Sequence, residues 1–129
     1  MYLVDSDWII NFLKGRLDAI TLFRLLLGDG MAISIMTFAE IYEGIYYGRD
    51  QTEHETGFRV LLRDMPVLGI NRSIARRYAL VRGDLRAHGL LIPQPDILIA
   101  ATAMHYDLTL VTRNVRHFQR IPGLSLHTP

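Results

Sequence analysis

The 129-residue chain contains no cysteine, which excludes disulfide bonds, thiolate nucleophiles and zinc sites built on thiolates. It also has no apolar run near the roughly 18 residues that a membrane-spanning helix needs. Its N-terminus lacks the basic flank and the long apolar stretch of a signal peptide. We therefore expect one soluble, cytoplasmic domain over residues 1–129, long enough to bury a core and with no membrane partner.

Lysine is almost absent as well, since Lys14 is the only lysine among the 14 basic residues and the others are arginines. This shortage excludes a phosphate-binding loop that ends in Gly-Lys-Ser/Thr. Arginine presents a planar fork that grips phosphate at two points, but a base-composition bias of the source genome explains the same preference. With a formal net charge of +1, composition alone does not identify a nucleic acid ligand.

Short apolar runs alternate with longer helical patterns along the whole chain. The runs predict strands at residues 1–4, 31–35, 66–68, 108–111 and 124–126. The helical patterns follow Asp5-Ser6-Asp7 and cover residues 17–27, 36–48, 51–63, 72–88, about 96–106, and a short turn at 113–118. Because the strands are continuously apolar rather than alternating, they predict an α/β fold with a mostly parallel, helix-covered sheet.

Three acidic residues stand where this fold places the starts of helices. Asp5 leaves the first strand, Glu40 lies one turn into the helix after the second strand, and Asp96 opens a buried helix behind Pro95. Each has an ordinary structural explanation: a helix cap for Asp5, a Thr-x-x-Glu capping box from Thr37 for Glu40, and compensation of the helix dipole for Asp96. Convergence of all three on the carboxyl edge of the sheet by chance is less expected.

Three converging carboxylates repel one another and therefore require a cation. Oxygen ligands select Mg²⁺ or Mn²⁺, and such an ion favours hydrolysis of phosphodiesters. Thr112 and Asn114 leave the fourth strand at the same edge, where they would orient a water or a carboxylate. Arg113 and Arg116 are predicted to hold substrate phosphates, as is Arg120, although a solvated helix face explains Arg116 and Arg120 equally well.

Four segments in chain order carry a resemblance to a known family. They are Asp5 after the N-terminal strand, TFAEIYEG (37–44), PDILIAATA (95–103) and LVTRNVRHF (110–118). In this order and spacing they resemble the successive motifs of the PIN-domain family and, within it, of the VapC-type toxins of toxin–antitoxin pairs. The resemblance implies a single three-layer α/β/α domain and an Mg²⁺-dependent endoribonuclease that is inhibited by a cognate VapB-type antitoxin. It also implies a homodimer.

By position, Asp5, Glu40 and Asp96 match the acidic cluster of this family and are the predicted metal ligands. The fourth acidic position departs from the family pattern, because its two possible places hold Asn114 and His117 here. Asn114 can ligate through its carbonyl oxygen but brings no charge, so we expect one ion rather than two. His117 is predicted to be a surface or internally satisfied histidine.

The predicted mechanism has Asp5 and Asp96 bind Mg²⁺ while Glu40 orients or deprotonates the attacking water. The expected substrate is a single-stranded loop of tRNA or another structured RNA, since unpaired bases are readily splayed out. An antitoxin segment is predicted to dock on the early helices, which are rich in aromatic rings. These rings are Trp8, Phe12, Tyr42, Tyr46 and Tyr47, and a place in the core explains them equally well.

Two other classes of protein stay open. Asp5-Ser6-Asp7 after a strand also resembles the Asp-x-Asp of phosphatases that form an aspartyl-phosphate, although Lys14 is badly placed for it. The missing fourth acid favours a non-catalytic RNA- or protein-binding module with a degenerate metal site. Turnover of a small phosphate ester would support the phosphatase, and RNA binding without cleavage would support the module.

Overall fold

The computed structural model describes residues 1–127, so the end of the predicted domain at residue 129 lies outside the described residues. The strands are β1 (Tyr2–Val4), β2 (Met31–Ser34), β3 (Val67–Leu68) and β4 (Thr109–Val111). The helices are α1 (Ser6–Leu13), α2 (Leu17–Leu26), α3 (Ile35–Tyr47), α4 (Gln51–Leu62), α5 (Arg72–Ala87), α6 (Gln94–His105) and α7 (Val115–Phe118), with a 3₁₀ turn at Leu27–Asp29. No helix in this range is long and apolar enough to cross a bilayer.

The four strands form one sheet in the order β3-β2-β1-β4, and every pair is parallel. Leu3 at the centre pairs with Ala32 on one side and with Leu110 on the other. The predicted parallel sheet is therefore confirmed. The predicted strand at 124–126 is wrong, because only Leu126 bridges to Leu110 and the pairing extends no further in the described residues.

The side chains of each strand point alternately to two apolar layers. Leu3 and Leu110 pack with residues of α5, α6 and α7, whereas Val4 and Val111 pack with α1, α2, α3 and α4. Both faces of the sheet are thus covered by helices, which explains the continuously apolar strands. The predicted three-layer α/β/α architecture is confirmed.

Helix α3 begins directly at the end of β2, two residues earlier than the predicted capping box. Ser34 is the N-cap, and its Oγ accepts a hydrogen bond from the Thr37 amide at 3.0 Å. The Ser34 hydroxyl also donates to Thr37 Oγ1 at 3.1 Å. The predicted Thr37–Glu40 capping box is therefore wrong, because the strand delivers Ser34 to the cap position. Glu40 lies in the second turn and has no part in capping.

Helix α6 begins as the proline pattern predicts. Pro93 is its N-cap, and Asp96 lies in the first turn, where its amide donates to the Pro93 carbonyl at 3.1 Å. Ile97, Ile99 and the following alanines are buried. A helix surrounded on most sides by the core holds Asp96 at a defined position at its exposed end.

Candidate active site

Asp5 connects the end of β1 to the start of α1 and to β4. Its amide donates to the Val111 carbonyl at 2.9 Å, and its Oδ1 accepts from the Ser6 amide at 2.8 Å. Its Oδ2 accepts from the Thr112 hydroxyl at 2.7 Å. Burial raises the pKa of Asp5 above its ordinary value, while the Thr112 and Ser6 hydrogen bonds oppose this rise. The side chain is therefore both the predicted helix cap and part of a wider network.

The segment that follows β4 extends this network. Thr112 is buried, and its Oγ1 accepts from the Asn114 amide at 3.0 Å while it donates to Asp5. One hydroxyl thus fixes the turn of the segment and contacts a carboxylate 107 residues away in sequence. The segment that holds Thr112 and Asn114 thus lies at the same edge of the sheet as Asp5, as predicted, and Thr112 contacts Asp5 directly.

Asp96 joins the network from the opposite side through His117. The His117 Nδ1 lies 2.9 Å from Asp96 Oδ2, and the Asn114 carboxamide lies 2.8 Å from the same ring nitrogen. The Asp96 side chain is 16% exposed and that of His117 is 34% exposed. The prediction that His117 is internally satisfied holds, but its partners are two candidate site residues. The spacing of Asn114 and His117 on one face of a helical turn could have suggested this contact.

Glu40 reaches the same region from α3, and its environment is the least favourable of the three acids. Burial, reinforced by the charges of Asp5 and Asp96, raises the pKa of Glu40 from 4.5 to about 7. Its Oε1 atom is buried and has no hydrogen-bond partner within residues 1–127. The three predicted acids thus influence one another electrostatically, as convergence on one edge of the sheet requires.

The donor atoms fit a hard divalent cation in type and charge. All are carboxylate oxygens, and Glu40 offers a buried oxygen that no group of residues 1–127 satisfies. In the same range, however, no three acidic or histidine side chains are arranged to hold one metal ion directly. Binding of Mg²⁺ or Mn²⁺ by Asp5, Glu40 and Asp96 therefore stays a prediction.

The predicted phosphate-binding arginines lie on the surface, in and just after the segment that follows β4. The Arg113 guanidinium stacks over the Trp8 ring, with Cζ 4.2 Å from its centroid, and pairs with Asp18. Arg113 lies in one open cleft, and Arg116 lines another together with Arg120. Both clefts therefore present guanidinium groups next to the segment that follows β4.

Two of these arginines also have structural contacts. Arg113 lowers the pKa of Asp18 by donating a hydrogen bond to it, and Arg120 donates to the carbonyls of Leu90 and Leu91 at 3.3 and 3.2 Å. The Arg120 side chain thus ties α7 to the loop that leads into α6. Arg116 is exposed, as both interpretations of it predict.

The aromatic residues of the early helices divide into two groups. Trp8, Phe12 and Tyr42 are half-buried and pack against the core. Tyr46 and Tyr47 on α3 are 58% and 89% exposed. The structure therefore supports the core explanation for the first three rings and leaves the last two for an interface.

Comparison with known proteins identifies the family. The family model for the PIN domain matches residues 2–124, and the chain therefore belongs to the PIN-domain family. Its relatives include ribonuclease VapC10 of Mycobacterium tuberculosis (strain CDC 1551 / Oshkosh), which is 38% identical over 120 residues, with 92% of this chain and 86% of the relative covered.

Solved structures show the same fold with complete coverage. VapBC2 from Rickettsia felis, bound to a DNA fragment from their promoter, superposes with a TM-score of 0.90 at 26% identity and covers 98% of this chain and 96% of that chain. A toxin–antitoxin complex from Klebsiella pneumoniae gives a TM-score of 0.76 at 29% identity, with 100% and 98% covered. The chain is thus similar to VapC ribonucleases over essentially its whole length.

Proposed function

We propose that this chain is a metal-dependent endoribonuclease, the toxin of a toxin–antitoxin pair, which hydrolyses phosphodiester bonds in single-stranded loops of tRNA or another structured RNA. The observation that carries the proposal is the buried Oε1 of Glu40, which has no partner within residues 1–127 and lies under the charges of Asp5 and Asp96. A folded protein rarely keeps a buried acceptor unpaired without a ligand for it. The similarity to VapC ribonucleases supports the same conclusion.

The roles of the residues follow from their contacts. Asp5 and Asp96 would hold Mg²⁺ or Mn²⁺, and Glu40 would complete the site. When bound, the ion supplies activation of water and stabilises the charge that develops on the phosphate. Glu40 would also orient the attacking water or accept a proton from it.

The remaining predicted residues would position the acids and the substrate. Thr112 and Asn114 keep the segment after β4 against Asp5 through two hydrogen bonds. Arg113 and Arg116 line two open clefts next to the segment that follows β4, where each guanidinium would pair with a phosphate of the RNA chain. An RNA segment bound in both clefts would place a phosphodiester near the three carboxylates.

Cleavage of a panel of total RNA and purified tRNA by antitoxin-free protein tests the nuclease. We expect discrete products with Mg²⁺ or Mn²⁺, none with chelator, and a loss of at least about 100-fold in Asp96→Asn. Asp107→Asn is the matched control: it is the same chemical change just beyond the other end of α6, at a residue with φ of 54°, a conformation that asparagine tolerates.

Two outcomes would contradict the nuclease. Products that survive chelation would remove the metal from the proposal. RNA binding without products, from folded protein with either ion, would favour the non-catalytic module, which the missing fourth acid also favours. Membership of the PIN-domain family favours the nuclease over the aspartyl-phosphate phosphatase.

We further propose that a VapB-type antitoxin segment docks in the apolar groove between α1, α3 and α4. Ile10 and Leu13 form one wall, Ile41 and Ile45 form the other, and the volume is about 470 Å³. Gly44 leaves the groove open, because a Cβ atom there would meet nothing within 4 Å. The toxin–antitoxin complex from Klebsiella pneumoniae supports a partner of this kind.

Filling the groove tests the docking site. Gly44→Trp is expected to weaken binding of the co-expressed antitoxin by at least about tenfold, while the fold is kept because a side chain replaces glycine in an open helix position. Gly83→Trp on α5 is the matched control, since its Cβ also meets nothing within 4 Å. Equal antitoxin binding by both variants would contradict this site. The homodimer that the family resemblance implies is tested separately, by measuring the mass of the free protein in solution.

A further inference from the structure

The two carboxylates that are proposed to hold the metal are anchored very differently. Asp5 receives one hydrogen bond on each oxygen, from Ser6 and from Thr112. Asp96 Oδ2 lies 2.9 Å from His117 Nδ1, and Oδ1 has no hydrogen-bond partner within residues 1–127. The orientation of the Asp96 carboxylate therefore depends on one contact.

His117 is itself held in place. It lies in α7 three residues after Asn114, and the Asn114 carboxamide is 2.8 Å from its Nδ1. Asn114 in turn is fixed by the bond from its amide to Thr112 Oγ1, and Thr112 donates to Asp5. A continuous chain of hydrogen bonds thus links Asp5 to Asp96 through one short segment.

We propose that His117 is a positioning residue for Asp96. Its Nδ1–H donates to Asp96 Oδ2 and so fixes the carboxylate with Oδ1 left available for a cation. This inference rests on the proposed function and adds to it a residue outside the cluster of three acids. A carboxylate oxygen accepts hydrogen bonds, so this contact requires the proton of the His117 ring on Nδ1. The structure places the Asn114 Nδ2 atom 2.8 Å from the same ring nitrogen, and with the proton on Nδ1 the carboxamide turns over so that its oxygen faces the ring.

The physical benefit is preorganisation. A carboxylate on a helix end that is free to rotate must be ordered when a cation binds, and that ordering weakens affinity. A hydrogen bond from a neighbouring ring orders the carboxylate during folding, before the cation binds. Loss of such supporting contacts typically weakens metal binding by about 10- to 100-fold. The Arg116 and Arg120 cleft, which His117 also lines, leaves the other ring nitrogen on the solvent side.

A first measurement needs no metal and no substrate. Long-range ¹H–¹⁵N correlation spectra of the metal-free protein at pH 8 report which ring nitrogen of His117 carries the proton. We expect the Nδ1–H form in the wild type and a return to the commoner Nε2–H form in Asp96→Ala. An Nε2–H form in the wild type would overturn the proposal, since the bond to Asp96 Oδ2 would then be impossible.

A second measurement compares Mn²⁺ affinity, read by electron paramagnetic resonance, in three variants. His117→Ala is expected to bind Mn²⁺ about tenfold more weakly. His117→Asn places an N–H where Nδ1 was and is expected to recover most of the affinity, whereas His117→Gln places it where Nε2 was and is not. The matched control is His88→Ala, which breaks a contact between a histidine and Asp84 on the surface of α5.

The outcomes separate this proposal from the proposed function. Wild-type affinity in His117→Ala, or recovery by Gln instead of Asn, would overturn the positioning role. Mn²⁺ affinity that is equally negligible in the wild type and in Asp96→Ala would overturn the metal site itself. In that case the tautomer spectrum still decides whether His117 holds Asp96.

Discussion

Two carboxylates of the candidate site, Asp5 between β1 and β4 and Glu40 on α3, have opposite hydrogen-bonding environments. Asp5 is buried, but both of its oxygens accept hydrogen bonds. Glu40 has a buried Oε1 that no group within residues 1–127 satisfies. The fold therefore completes the environment of Asp5 by itself and leaves that of Glu40 incomplete. This difference assigns Asp5 a structural role in addition to its proposed function, and it makes Glu40 the residue that most needs an external cation.

The largest effect is expected from removing the partner of Asp5. Thr112→Val keeps the shape of the side chain but leaves Asp5 Oδ2 and the Asn114 amide without their bonds. We expect the free energy of unfolding to fall by about 2 kcal/mol, measured by urea denaturation at pH 7. Thr109→Val at the start of the preceding strand, β4, is the control and is expected to change the free energy of unfolding by less than about 0.5 kcal/mol. Equal losses of stability in Thr112→Val and Thr109→Val would show that the Thr112 hydrogen bonds add nothing to the stability of the fold. Asp5 would then be no better satisfied by the fold than Glu40.

Neutralising Glu40 is expected to raise the free energy of unfolding rather than lower it. The folded protein holds a proton on Glu40 up to a pKa of about 7, against 4.5 for the ordinary group. Its folded state thus binds more protons between these values, so wild-type stability falls as pH rises from 4.5 to 7. At pH 8, Glu40→Gln is expected to be more stable than the wild type by about 1–2 kcal/mol, after allowance for partial exposure.

The pH dependence provides the control for this prediction. Below pH 4.5 Glu40 is neutral in the folded and unfolded wild type, so the difference between Gln and wild type is expected to disappear. Glu43→Gln changes an exposed residue one turn along the same helix and is expected to have little effect at any pH. A Glu40→Gln protein that is less stable than the wild type at pH 8 would show that its buried oxygen is satisfied in solution.

Binding of Mg²⁺ is expected to offset the destabilisation that ionised Glu40 causes. At free Mg²⁺ several times the dissociation constant, wild-type stability at pH 8 should rise by about 1 kcal/mol, as measured by thermal unfolding against sodium chloride of equal ionic strength. The gain is expected to vanish in Glu40→Gln. An equal gain in both proteins would place the ion elsewhere and separate Glu40 from the metal.

The smallest expected effect concerns the cause of the raised pKa of Glu40. Burial is the main cause, followed by the charges of Asp5 and Asp96, and Asp7 contributes less than either. Asp7→Asn is therefore expected to lower the Glu40 pKa only slightly, since Asp7 is exposed and screened by solvent. Carboxyl ¹³C titration measures it. A drop of more than about one unit would make charge rather than burial the dominant cause.

Much of the fold could be predicted because the pattern is local. Continuous apolar runs are typical of a sheet covered on both faces, and Pro95 predicts a helix start that places Asp96 in the first turn of α6. The capping box at Thr37 and Glu40 was wrong for an equally local reason. Ser34 and Thr37 can both cap a helix, and only the end of β2 decides between them.

The contacts of His117 could not be predicted in the same way. Sequence spacing places Asn114 and His117 on one face of α7, but the partner of His117 comes from α6, 21 residues earlier. Which carboxylate a histidine meets depends on how two helices pack against the sheet. No local pattern contains that information.

The sequence by itself determined the order of strands and helices, the absence of thiol chemistry, and the three acids at the starts of helices, because these follow from composition and short-range periodicity. Only the tertiary structure decided that Asp5 is satisfied by Thr112, that Glu40 keeps a buried oxygen without a partner in the described residues, and that His117 holds Asp96. The physical reason is that burial and hydrogen bonding between distant residues exist only once the parallel sheet has brought its strand ends together.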